Sequence, residues 1–315
     1  MIIKLWPDVP FWEELVKKSP DSTFFHSPLW HEIVTLTYRD YSIATRGFEF
    51  DDGSKAVFPF IQTREGGILK GKGRLKSSVF GGYGGIIAER VLTAQEQQAV
   101  YAHLLSLKAS ISIDGNPFSS YAVPQTFTLK KDFTHVVALN TTEENVYKRL
   151  SRGAKSNLNQ ALKKGINIRR AHTERDVACY VGVYQDTLKR WGAATLFTYP
   201  EALFQNIFKR AGDAAQLWLA EKNGTIISGA IIFYWNRVVS YWHGASLKDY
   251  FDCYPNNLLH MEIIKDALRR GYRYYDLGPS GGQQGVVRFK QSFGAERIEF
   301  LSGHWKHRWG RKKDS

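Results

Sequence analysis

The residues best suited to chemistry lie towards the C-terminal end of the chain, in a glycine-rich turn followed by two cations. The turn comes after a predicted short strand, Tyr272–Leu277, and contains Gly278, Gly281, Gly282 and Gly285. Arg288 and Lys290 follow on a predicted short helix that closes at Gly294. Glycines between a strand and a helix let the backbone come close to a phosphate or a carbonyl group. We therefore expect an anion to be held here, with Gly281, Gly282 and Arg288 among the residues that bind substrate.

Two further titratable residues, His243 and Asp276, lie in predicted strands. His243 follows Tyr241 and Trp242, and an imidazole that titrates near neutral pH would serve there as a general base. A half-buried structural histidine fits the same pattern. Asp276, within the segment YYDLG, would orient an acceptor amine or accept its proton, but it would equally cap the following turn. The sequence leaves both alternatives open for each residue.

Three residues at helix ends complete the candidate substrate-binding set. Arg190, with Trp191, ends a predicted helix, where either a phosphate or sugar contact or simple packing would explain it. Tyr254 and Asn256 open the helix predicted over Pro255–Arg270, whose free amide groups favour an anion. An ordinary capping role explains the asparagine as well. No Ser-His-Asp order, Walker sequence or dinucleotide fingerprint occurs, and the nine histidines form no metal signature, so we expect no metal.

The charge balance indicates a polyanionic partner. The 315 residues include 43 Lys and Arg against 30 Asp and Glu, which gives a formal net charge of +13. Nucleic acid, a phosphorylated substrate and an anionic membrane surface would each complement that charge, and a generally solvated basic surface is the alternative. Only Cys179 and Cys253 are present, which argues against a disulfide framework and favours the cytosol. Without a signal pattern or a long apolar run, any membrane contact is expected to be peripheral.

Helical and strand patterns alternate along the chain. Helices are predicted over residues 8–20, from Ser27 onwards, and over Thr93–Lys108, 141–164, Asp176–Trp191, Pro200–Ala211 and Pro255–Arg270. Strands are predicted over Tyr41–Phe48, Ala56–Gln62, Ser110–Ile113, Gln216–Glu221, Ile226–Trp235 and Val238–Gly244. Asn223-Gly224 is a strong hairpin signal between two of these strands. Thr141 with Glu144 fits a capping box at the start of the helix over 141–164, whose lysines and arginines predict a positively charged side.

The order of elements in the first half recurs in the second. DDGSKAVFPFI corresponds to KNGTIISGAII, and SISIDGNPFS corresponds to YRYYDLGPS. We therefore predict an α+β protein with a mixed sheet, built from two repeated domains over residues 1–140 and 141–315, with one unduplicated domain as the alternative. The cleft between two such domains is a common ligand site. The basic tail GHWKHRWGRKKDS suits stacking on bases or insertion at an anionic membrane surface, and a frayed terminus is its alternative.

Four segments together resemble the Fem-type branch of the GNAT superfamily: ALKKGINIRR, YWHGAS, YPNNLLHMEIIKDALRRGYRYYDLG and GVVRFKQSFGA. That branch includes the peptidoglycan-bridge aminoacyltransferases and related acetyltransferases, and the resemblance is strongest over residues 141–300. It implies two tandem GNAT-like domains and transfer of an acyl group to an amine. In Fem-type enzymes the donor is an aminoacyl-tRNA and the acceptor is an amine of a peptidoglycan precursor. In ordinary GNAT enzymes the donor is acetyl-CoA.

The resemblance also implies a role for Lys290, which aligns with the lysine of the family's FK-x-x-FG motif. It implies that this lysine contacts a substrate phosphate or the reacting centre, while a solvated lysine is the alternative. Arg288 should point elsewhere on the helix. The expected catalytic residues are thus His243, Asp276 and Lys290. A backbone amide at a bulge of the strand Ser240–Gly244 would stabilise the oxyanion of acyl transfer.

Two departures from the family bear on the donor. The stretch SLKDYFDCYPNN lacks the Q/R-x-x-G-x-G/A turn that cradles the CoA pyrophosphate in GNAT enzymes, and the long helical arm of some Fem transferases is not found. We expect no permanently bound cofactor, with acyl-CoA or aminoacyl-tRNA as co-substrate. The expected function is amide formation on a cell-envelope or saccharide precursor, phosphorylated or lipid-linked, in the cytoplasm or at the inner face of the membrane. The alternatives are CoA-dependent N-acetylation of a small amine or amino sugar, and non-catalytic binding of a polyanion such as tRNA.

Overall fold

The computed structural model describes residues 2–5, 8–64, 73–192 and 198–307. The chain divides into two compact units. The N-terminal unit comprises residues 1–132 and 299–315, and the C-terminal unit comprises residues 133–298. The predicted domain boundary after residue 140 lies close to this division, but the C-terminal segment groups with the N-terminal unit. The end of the predicted basic tail, from residue 308 onwards, lies outside the described residues, and the predicted ligand cleft between domains stays a prediction.

The N-terminal unit contains three α-helices and eight strands in its described part. The helices are α1 (Val9–Lys18), α2 (Pro28–Thr37) and α3 (Ala94–Ser106). The strands are β1 (Ile2–Leu5), β2 (Tyr41–Ile43), β3 (Arg46–Glu49), β4 (Lys55–Phe58), β5 (Ile61–Arg64), β6 (Gly73–Lys76), β7 (Ile87–Ala88) and β8 (Ser110–Ile113). Strands β1, β3, β4 and β7 pair in that order, and β2, β5, β6 and β8 form a second run in which only β6 and β8 are parallel.

Local capping explains where these helices begin. Ser27 caps α2 by accepting a hydrogen bond from the Trp30 amide at 3.1 Å, with Pro28 at the first helical position, so the predicted helix start is confirmed. Thr93 and Glu96 form a capping box at the start of α3. The core of the unit is apolar and largely aromatic, and it includes Phe48, Phe58, Phe60, Leu104 and Ile111.

The C-terminal unit is built on one mixed sheet. Its strands are β10 (Asn167–Arg170), β11 (Ala215–Lys222), β12 (Thr225–Trp235), β13 (Val238–Ser246) and β14 (Tyr274–Pro279), together with β9 (Thr128–Ala138) from residue 133 onwards. A last strand, β15 (Glu296–Trp305), begins in this unit, and its residues from 299 onwards belong to the N-terminal unit. Its helices are α4 (Glu143–Arg149), α5 (Arg152–Lys163), α6 (Glu174–Trp191), α7 (Glu201–Arg210), α8 (Pro255–Arg269) and α9 (Gln284–Gln291). The strand order is β10-β11-β12-β13-β14-β9, and β13 with β14 is the parallel pair in this run.

Helices pack on both faces of this sheet. Helix α8 lies against β11 and β12 and packs beside α5, while α6 lies against β12 and β13 and packs beside α7. The α8 side buries an apolar cluster that includes Ile232, Leu259, Ile263, Ile264 and Tyr275. Because side chains alternate along a strand, each strand of this sheet sends residues to both helical layers. A side chain's face therefore decides which helices surround it.

The connections follow local chemistry at several points. Asn223 and Gly224 have φ values of 50° and 76°, which fits the two-residue turn predicted between β11 and β12. Gly271, with φ 76°, follows the end of α8 as predicted. The single helix predicted over residues 141–164 is wrong. Ser151 accepts a hydrogen bond from the Ala154 amide and starts α5 as a new helix, and the cap of α4 is Thr142, so the predicted capping box at Thr141 is also wrong.

The charged surface of α4 and α5 is partly neutralised by local partners. Lys148 pairs with Glu144 at 2.7 Å, and Lys164 pairs with Asp252 at 2.9 Å. Exposed pairs of this kind contribute little to stability, but they reduce the charge offered to a polyanion. Arg149, Arg152 and Lys163 are exposed on the same surface.

Candidate active site

The parallel pair β13–β14 opens soon after it begins. Three register pairs join the strands, and the last of them is Ser240 with Asp276. Strand β13 then continues to Ser246, whereas the described residues contain no further pair between these strands. Against β12, the register shifts so that Tyr241 and His243 pair with adjacent residues, which leaves Trp242 as the extra residue of a bulge. The bulge predicted in Ser240–Gly244 is therefore confirmed.

The bulge changes which face of the sheet each side chain reaches. The ring of Tyr241 meets His260 of α8 edge-on, with 4.8 Å between centroids. The ring of His243 meets Tyr184 of α6, with 4.6 Å between centroids. Without the extra residue, positions 241 and 243 would share one face. The bulge thus places Tyr241 in the α8 layer and His243 in the α6 layer, on either side of the place where β13 and β14 separate.

Lys290 holds the end of β14 from the α9 side. Its ammonium group donates hydrogen bonds to the carbonyl oxygens of Gly278 at 2.6 Å and Pro279 at 2.9 Å, and the residue is 3% exposed. Burial lowers the pKa of Lys290 to about 8, and the nearby charge of Asp276 opposes that shift. The alternative of a solvated lysine is therefore wrong. Contact between Lys290 and a substrate phosphate stays a prediction.

The rest of the FK-x-x-FG motif explains why Lys290 sits there. Phe289 and Phe293 meet edge-on at 5.2 Å between centroids, and both rings also pack against His260. Gly294 has φ 72°, and a Cβ on it would lie 2.8 Å from the Arg149 Cβ, so any larger residue would push α9 away from α4. One buried ring, one partly buried ring and a close glycine contact therefore fix α9, and the lysine between the rings points to the end of β14.

Asp276 shapes the turn that follows β14. Its Oδ1 accepts hydrogen bonds from the Thr134 hydroxyl at 2.5 Å and from the Gly278 amide at 3.0 Å, and the residue is 1% exposed. The second bond is the turn-capping contact that the sequence offered as an alternative. Gly278 has φ 71°, and a Cβ there would lie 3.3 Å from the Tyr241 carbonyl oxygen. Asp276 and Gly278 together fix the backbone of the turn beside Tyr241. Proton acceptance by Asp276 stays a prediction.

His243 lies in an aromatic cage. Its Nδ1 is 2.6 Å from the Tyr180 hydroxyl, the ring is surrounded by Tyr184 and Phe204, and the residue is 8% exposed. Burial lowers its pKa to about 3. An imidazole with so low a pKa is a weak base and is poorly suited to accept a proton from an amine at neutral pH. These surroundings match the structural alternative for His243.

Arg190 braces the end of β13. Its guanidinium group donates to the Ser246 carbonyl oxygen at 3.2 Å and lies over the Phe251 ring at 4.9 Å from its centroid. Phe251 belongs to a 3-10 helix, Lys248–Cys253, that joins β13 to α8. Arg190 therefore packs the connection between these elements, as its packing alternative predicts.

Tyr254 and Asn256 fix the start of α8. Tyr254 is the N-cap in a left-handed conformation, with φ 54°, and it makes no side-chain capping bond. Asn256 Oδ1 accepts hydrogen bonds from the hydroxyls of Ser228 at 2.6 Å and Ser246 at 3.0 Å. The asparagine thus ties α8 to the ends of β12 and β13 and is not its cap. A role of either residue in substrate binding stays a prediction.

The glycine turn itself is open. Gly281 and Gly282 have φ values of 55° and 77°, and a Cβ on either would meet nothing within 4 Å. Their need for glycine is therefore conformational and not steric. Arg288 is exposed on α9 while Lys290 is buried, so the two cations point apart as predicted. The structure brings Asp276, Lys290 and Gly278 together at the end of β14. Gly281 and Gly282 are exposed in the turn that follows, and Arg288 is exposed on α9.

Several residues that shape this opening carried no signal in the sequence. Thr134 precedes Asp276 by 142 positions, so no local pattern could pair them. His260 Nδ1 lies 2.6 Å from the Tyr275 hydroxyl beneath α9, and burial lowers the pKa of His260 to about 3. Tyr241 was visible only as one aromatic residue among many in its strand. Its orientation follows from the bulge.

Within residues 2–5, 8–64, 73–192 and 198–307, no group of three or more His, Cys, Asp or Glu side chains is placed to hold a metal ion. None of the helices in the described part of the chain has the length and apolar character needed to cross a membrane.

Comparison with known families identifies the class of protein. The family model described as the acetyltransferase (GNAT) domain matches residues 147–312. The chain therefore belongs to the GNAT acetyltransferase family.

Curated relatives point to the Fem-type branch. Over 78 residues the chain is 35% identical to the "Lipid II:glycine glycyltransferase" of Staphylococcus haemolyticus (strain JCSC1435), an alignment that covers 25% of this chain and 19% of that protein. Over 66 residues it is 35% identical to the protein of the same name from Staphylococcus epidermidis, covering 21% of this chain and 16% of that one. The chain thus spans about a fifth of the length of the curated relatives it matches.

Solved structures extend the likeness to the whole chain. The crystal structure of FemX superposes with a TM-score of 0.68 and 15% identity, and the match covers 96% of this chain and 97% of that one. A tandem GNAT protein from the clavulanic acid biosynthesis pathway superposes with a TM-score of 0.53 and 9% identity, covering 96% and 98%. At such identities the likeness shows the fold. The predicted mixed α/β fold with two tandem GNAT-like domains and the resemblance to the Fem-type branch are confirmed.

Proposed function

We propose that the chain transfers an acyl group to an amine, with the donor's carbonyl group placed where β13 and β14 separate. The observation that carries the proposal is the end of parallel pairing at Ser240 and Asp276, beside the bulge at Trp242. Strand backbone that has lost its partner can offer an amide N–H to another acceptor. A fixed N–H aimed at a carbonyl that becomes an oxyanion is among the larger sources of rate in acyl transfer.

The proposed reaction needs little covalent chemistry from side chains. The acceptor amine attacks the acyl carbon, the new C–N bond forms, and the bond to the leaving group breaks as the oxyanion collapses. The amine gives up one proton, and the leaving group takes one up. Asp276 and Lys290 serve in this scheme by fixing the turn from Gly278 onwards, so that the opening keeps its width. Alignment of this kind can supply a large share of the rate.

We propose an aminoacyl-tRNA as the donor. The connection between β13 and α8 is a 3-10 helix, Lys248–Cys253, and the sequence from Ala245 to Arg270 contains no glycine. A loop of that kind is poorly suited to wrap a pyrophosphate with backbone amides. The names of the curated relatives, lipid II:glycine glycyltransferases, support an aminoacyl donor. No cofactor is proposed to stay bound between turnovers.

The same names support a lipid-linked or phosphorylated cell-wall precursor as the acceptor. An acceptor attached to a lipid would bring the enzyme to the inner face of the cytoplasmic membrane, where the net charge of +13 favours contact with anionic lipid. We propose a cytoplasmic enzyme that meets the membrane peripherally.

A CoA-dependent N-acetyltransferase is the second candidate. The matching family model is that of an acetyltransferase domain, and it covers residues 147–312. In that case the donor would be acetyl-CoA and the acceptor a small amine or amino sugar. The donor therefore distinguishes the two candidates.

The test is a transfer assay with purified protein. Glycyl-tRNA and acetyl-CoA are each offered with a muramyl-pentapeptide precursor and, separately, with glucosamine, and the amide product is followed by mass spectrometry. We expect product from glycyl-tRNA and the precursor, and a loss of at least about a hundredfold in kcat/KM for Lys290→Met, as expected when a preorganised site is lost. Lys189→Met, which removes an exposed lysine of α6, should keep wild-type activity.

Product only from acetyl-CoA would favour the second candidate. Binding of tRNA without any product would favour the non-catalytic alternative, to which the exposed Arg149, Arg152 and Lys163 would contribute.

A further inference from the structure

We propose that Tyr241 determines the size of the acyl group that this site accepts, by closing the α8 side of the opening between β13 and β14. The inference rests on the proposed acyl transfer at that opening. Tyr241 is the first residue of β13 beyond the last pair with β14, so its side chain leaves the strand at the point where the opening begins.

The position of the ring follows from Gly244. A Cβ on Gly244 would lie 2.2 Å from the Tyr241 hydroxyl oxygen and 2.9 Å from the Cζ and Cε2 atoms of the ring. The ring therefore runs along β13 and covers its backbone as far as residue 244. Residues three apart on a regular strand face opposite sides, and the bulge at Trp242 brings Tyr241 and Gly244 to the same side. Glycine at position 244 is what leaves room for the ring.

The surroundings of Tyr241 hold the ring in place. It packs on the apolar cluster of the α8 layer, and the His260 ring meets it edge-on at 4.8 Å between centroids. Leu277 of β14 is buried in the same cluster, so both strands send apolar bulk to the α8 side of the opening. Burial raises the pKa of the Tyr241 hydroxyl to about 12, further above neutral pH than its ordinary value. The side chain nevertheless retains some exposure, as expected for a wall of an open site.

A ring in this position limits what can enter. The carbonyl group of the donor would lie beside the β13 backbone, and an acyl chain that extends towards α8 would meet the Tyr241 ring. A glycyl, alanyl or acetyl group would fit in front of it, whereas a leucyl, phenylalanyl or hexanoyl group would require the ring to move. In a well-packed cluster, one excess methylene already lowers kcat/KM by about tenfold or more.

The test compares donors of different size in three forms of the protein. Glycyl-, alanyl-, leucyl- and phenylalanyl-tRNA, and acetyl- and hexanoyl-CoA, are offered to the wild type, Tyr241→Ala and Tyr241→Phe. We expect the wild type and Tyr241→Phe to favour the small groups to a similar degree. In Tyr241→Ala the ratio of kcat/KM for large over small acyl groups should rise by about tenfold or more.

Gly244 gives a reciprocal test. Gly244→Ala would drive the ring from its place and should lower transfer of every acyl group, whereas the double variant Tyr241→Ala/Gly244→Ala should regain transfer because the clash is gone. Circular dichroism establishes that each variant folds, and Tyr241→Leu replaces Tyr241→Ala if the latter does not.

The outcomes separate this inference from the proposed function. Transfer by Tyr241→Ala with the wild-type ratio of large to small donors would overturn the role of Tyr241 alone. A wild type that prefers large acyl groups would do the same. Absence of transfer by the wild type from every donor would overturn the proposed function, and this inference with it.

Discussion

Each unit of the chain contains a parallel strand pair with an aspartate near the end of the pairing: β6 with β8 and Asp114, and β13 with β14 and Asp276. The contact continues beyond the first pair, whereas the register of the second pair ends early. In the N-terminal unit, β6 and β8 pair over three positions, ending at Lys76 and Ser112. The contact then continues, because the Ser77 amide donates to the Ser112 carbonyl oxygen and the Asp114 amide donates to the Ser77 hydroxyl. Later in the same segment, the Gly84 amide donates to the Asp114 carbonyl oxygen at 2.8 Å. The residues that follow β6 thus remain hydrogen-bonded to the end of β8 and to Asp114.

The C-terminal unit satisfies the same region differently. After Ser240 and Asp276, no described residue of β13 continues the pairing with β14. The carbonyl oxygens of Gly278 and Pro279 are instead bound by Lys290 from α9. Lys290, a side chain from outside the strand pair, thus binds these acceptors of β14, and the register of β13 with β14 ends at Ser240. The pairing thus continues in the N-terminal unit and ends beside a bound lysine in the C-terminal unit, where we propose that transfer takes place.

The largest expected effect concerns Lys290, which donates hydrogen bonds to the carbonyl oxygens of Gly278 and Pro279. Lys290→Met removes the donor of two hydrogen bonds, one buried and one part-buried, and should lower the free energy of unfolding by about 2–3 kcal/mol, besides abolishing transfer. Urea denaturation measures the first quantity. Lys189→Met, on the exposed side of α6, provides the matched control, and a Lys290→Met protein as stable as that control would show that Lys290 does not hold the turn.

Glycine substitutions compare the segment that follows β6, which contains Gly84, with the turn that follows β14, which contains Gly281. A Cβ on Gly84 would lie 2.2 Å from the Ser77 hydroxyl oxygen and 2.7 Å from the Ser77 carbonyl carbon, so Gly84→Ala should cost about 2–3 kcal/mol through overpacking. A Cβ on Gly281 would meet nothing, and Gly281→Ala should cost only about 1 kcal/mol through its left-handed backbone. Thermal unfolding of both variants gives the comparison. Equal losses would mean that the two segments are packed alike.

The pH dependence of stability tests the burial of Asp114 in the N-terminal unit. Burial raises the pKa of Asp114 to about 6, partly offset by Lys76 and Lys130. The folded state therefore binds a proton more readily than the unfolded state, and the contribution of Asp114 to stability falls as pH rises from about 4 to 6. Asp114→Asn should remove that cost and stabilise the protein by about 1 kcal/mol at pH 7.5, with no gain at pH 4. Urea denaturation at the two pH values tests this, and a destabilised variant at pH 7.5 would contradict it.

The smallest expected effect is on the pH profile of transfer. Burial lowers the pKa of His243 to about 3 and that of Lys290 to about 8. We therefore expect no ionisation of His243 near pH 6.5 in the pH profile of transfer, so that the wild type and His243→Gln should have the same profile in that range. A change near pH 8 should follow Lys290, because the lysine exchanges its proton there. A wild-type limb near pH 6.5 that vanishes in His243→Gln would restore the histidine as a general base.

Local sequence signals predicted many element boundaries, although the strands predicted over Tyr41–Phe48 and Ala56–Gln62 are wrong as single strands, because each is two strands that pair in different sheets. Ser27 with Pro28, the Asn223-Gly224 turn and Gly271 each mark a boundary that the backbone requires at that point. The signals failed where two candidates compete within a few residues. Thr141 and Thr142 both offer a capping hydroxyl, and Ser151 restarts the helix after α4, which an apolar stripe running through both helices concealed.

The site was less accessible from the sequence because its contacts are distant. The FK-x-x-FG motif drew attention to Lys290, but a lysine on a short helix gives no sign that it will be buried against backbone carbonyl groups. The sequence singled out Asp276, whereas its hydrogen-bond partner Thr134 lies 142 positions earlier. Tyr241 depends on the bulge for its orientation, and a bulge shifts every following side chain to the other face.

The central claim is that the opening in the C-terminal unit receives the acyl donor. The direct measurement is a titration of isotope-labelled protein with 3′-deoxy-3′-glycylamido-adenosine, a stable mimic of the aminoacylated end of tRNA, followed by backbone amide chemical shifts. The account predicts that the amides of residues 241–244 and 278–282 shift together while those of residues 77–85 stay unchanged. Shifts confined to residues 77–85, with none in residues 241–244, would contradict it.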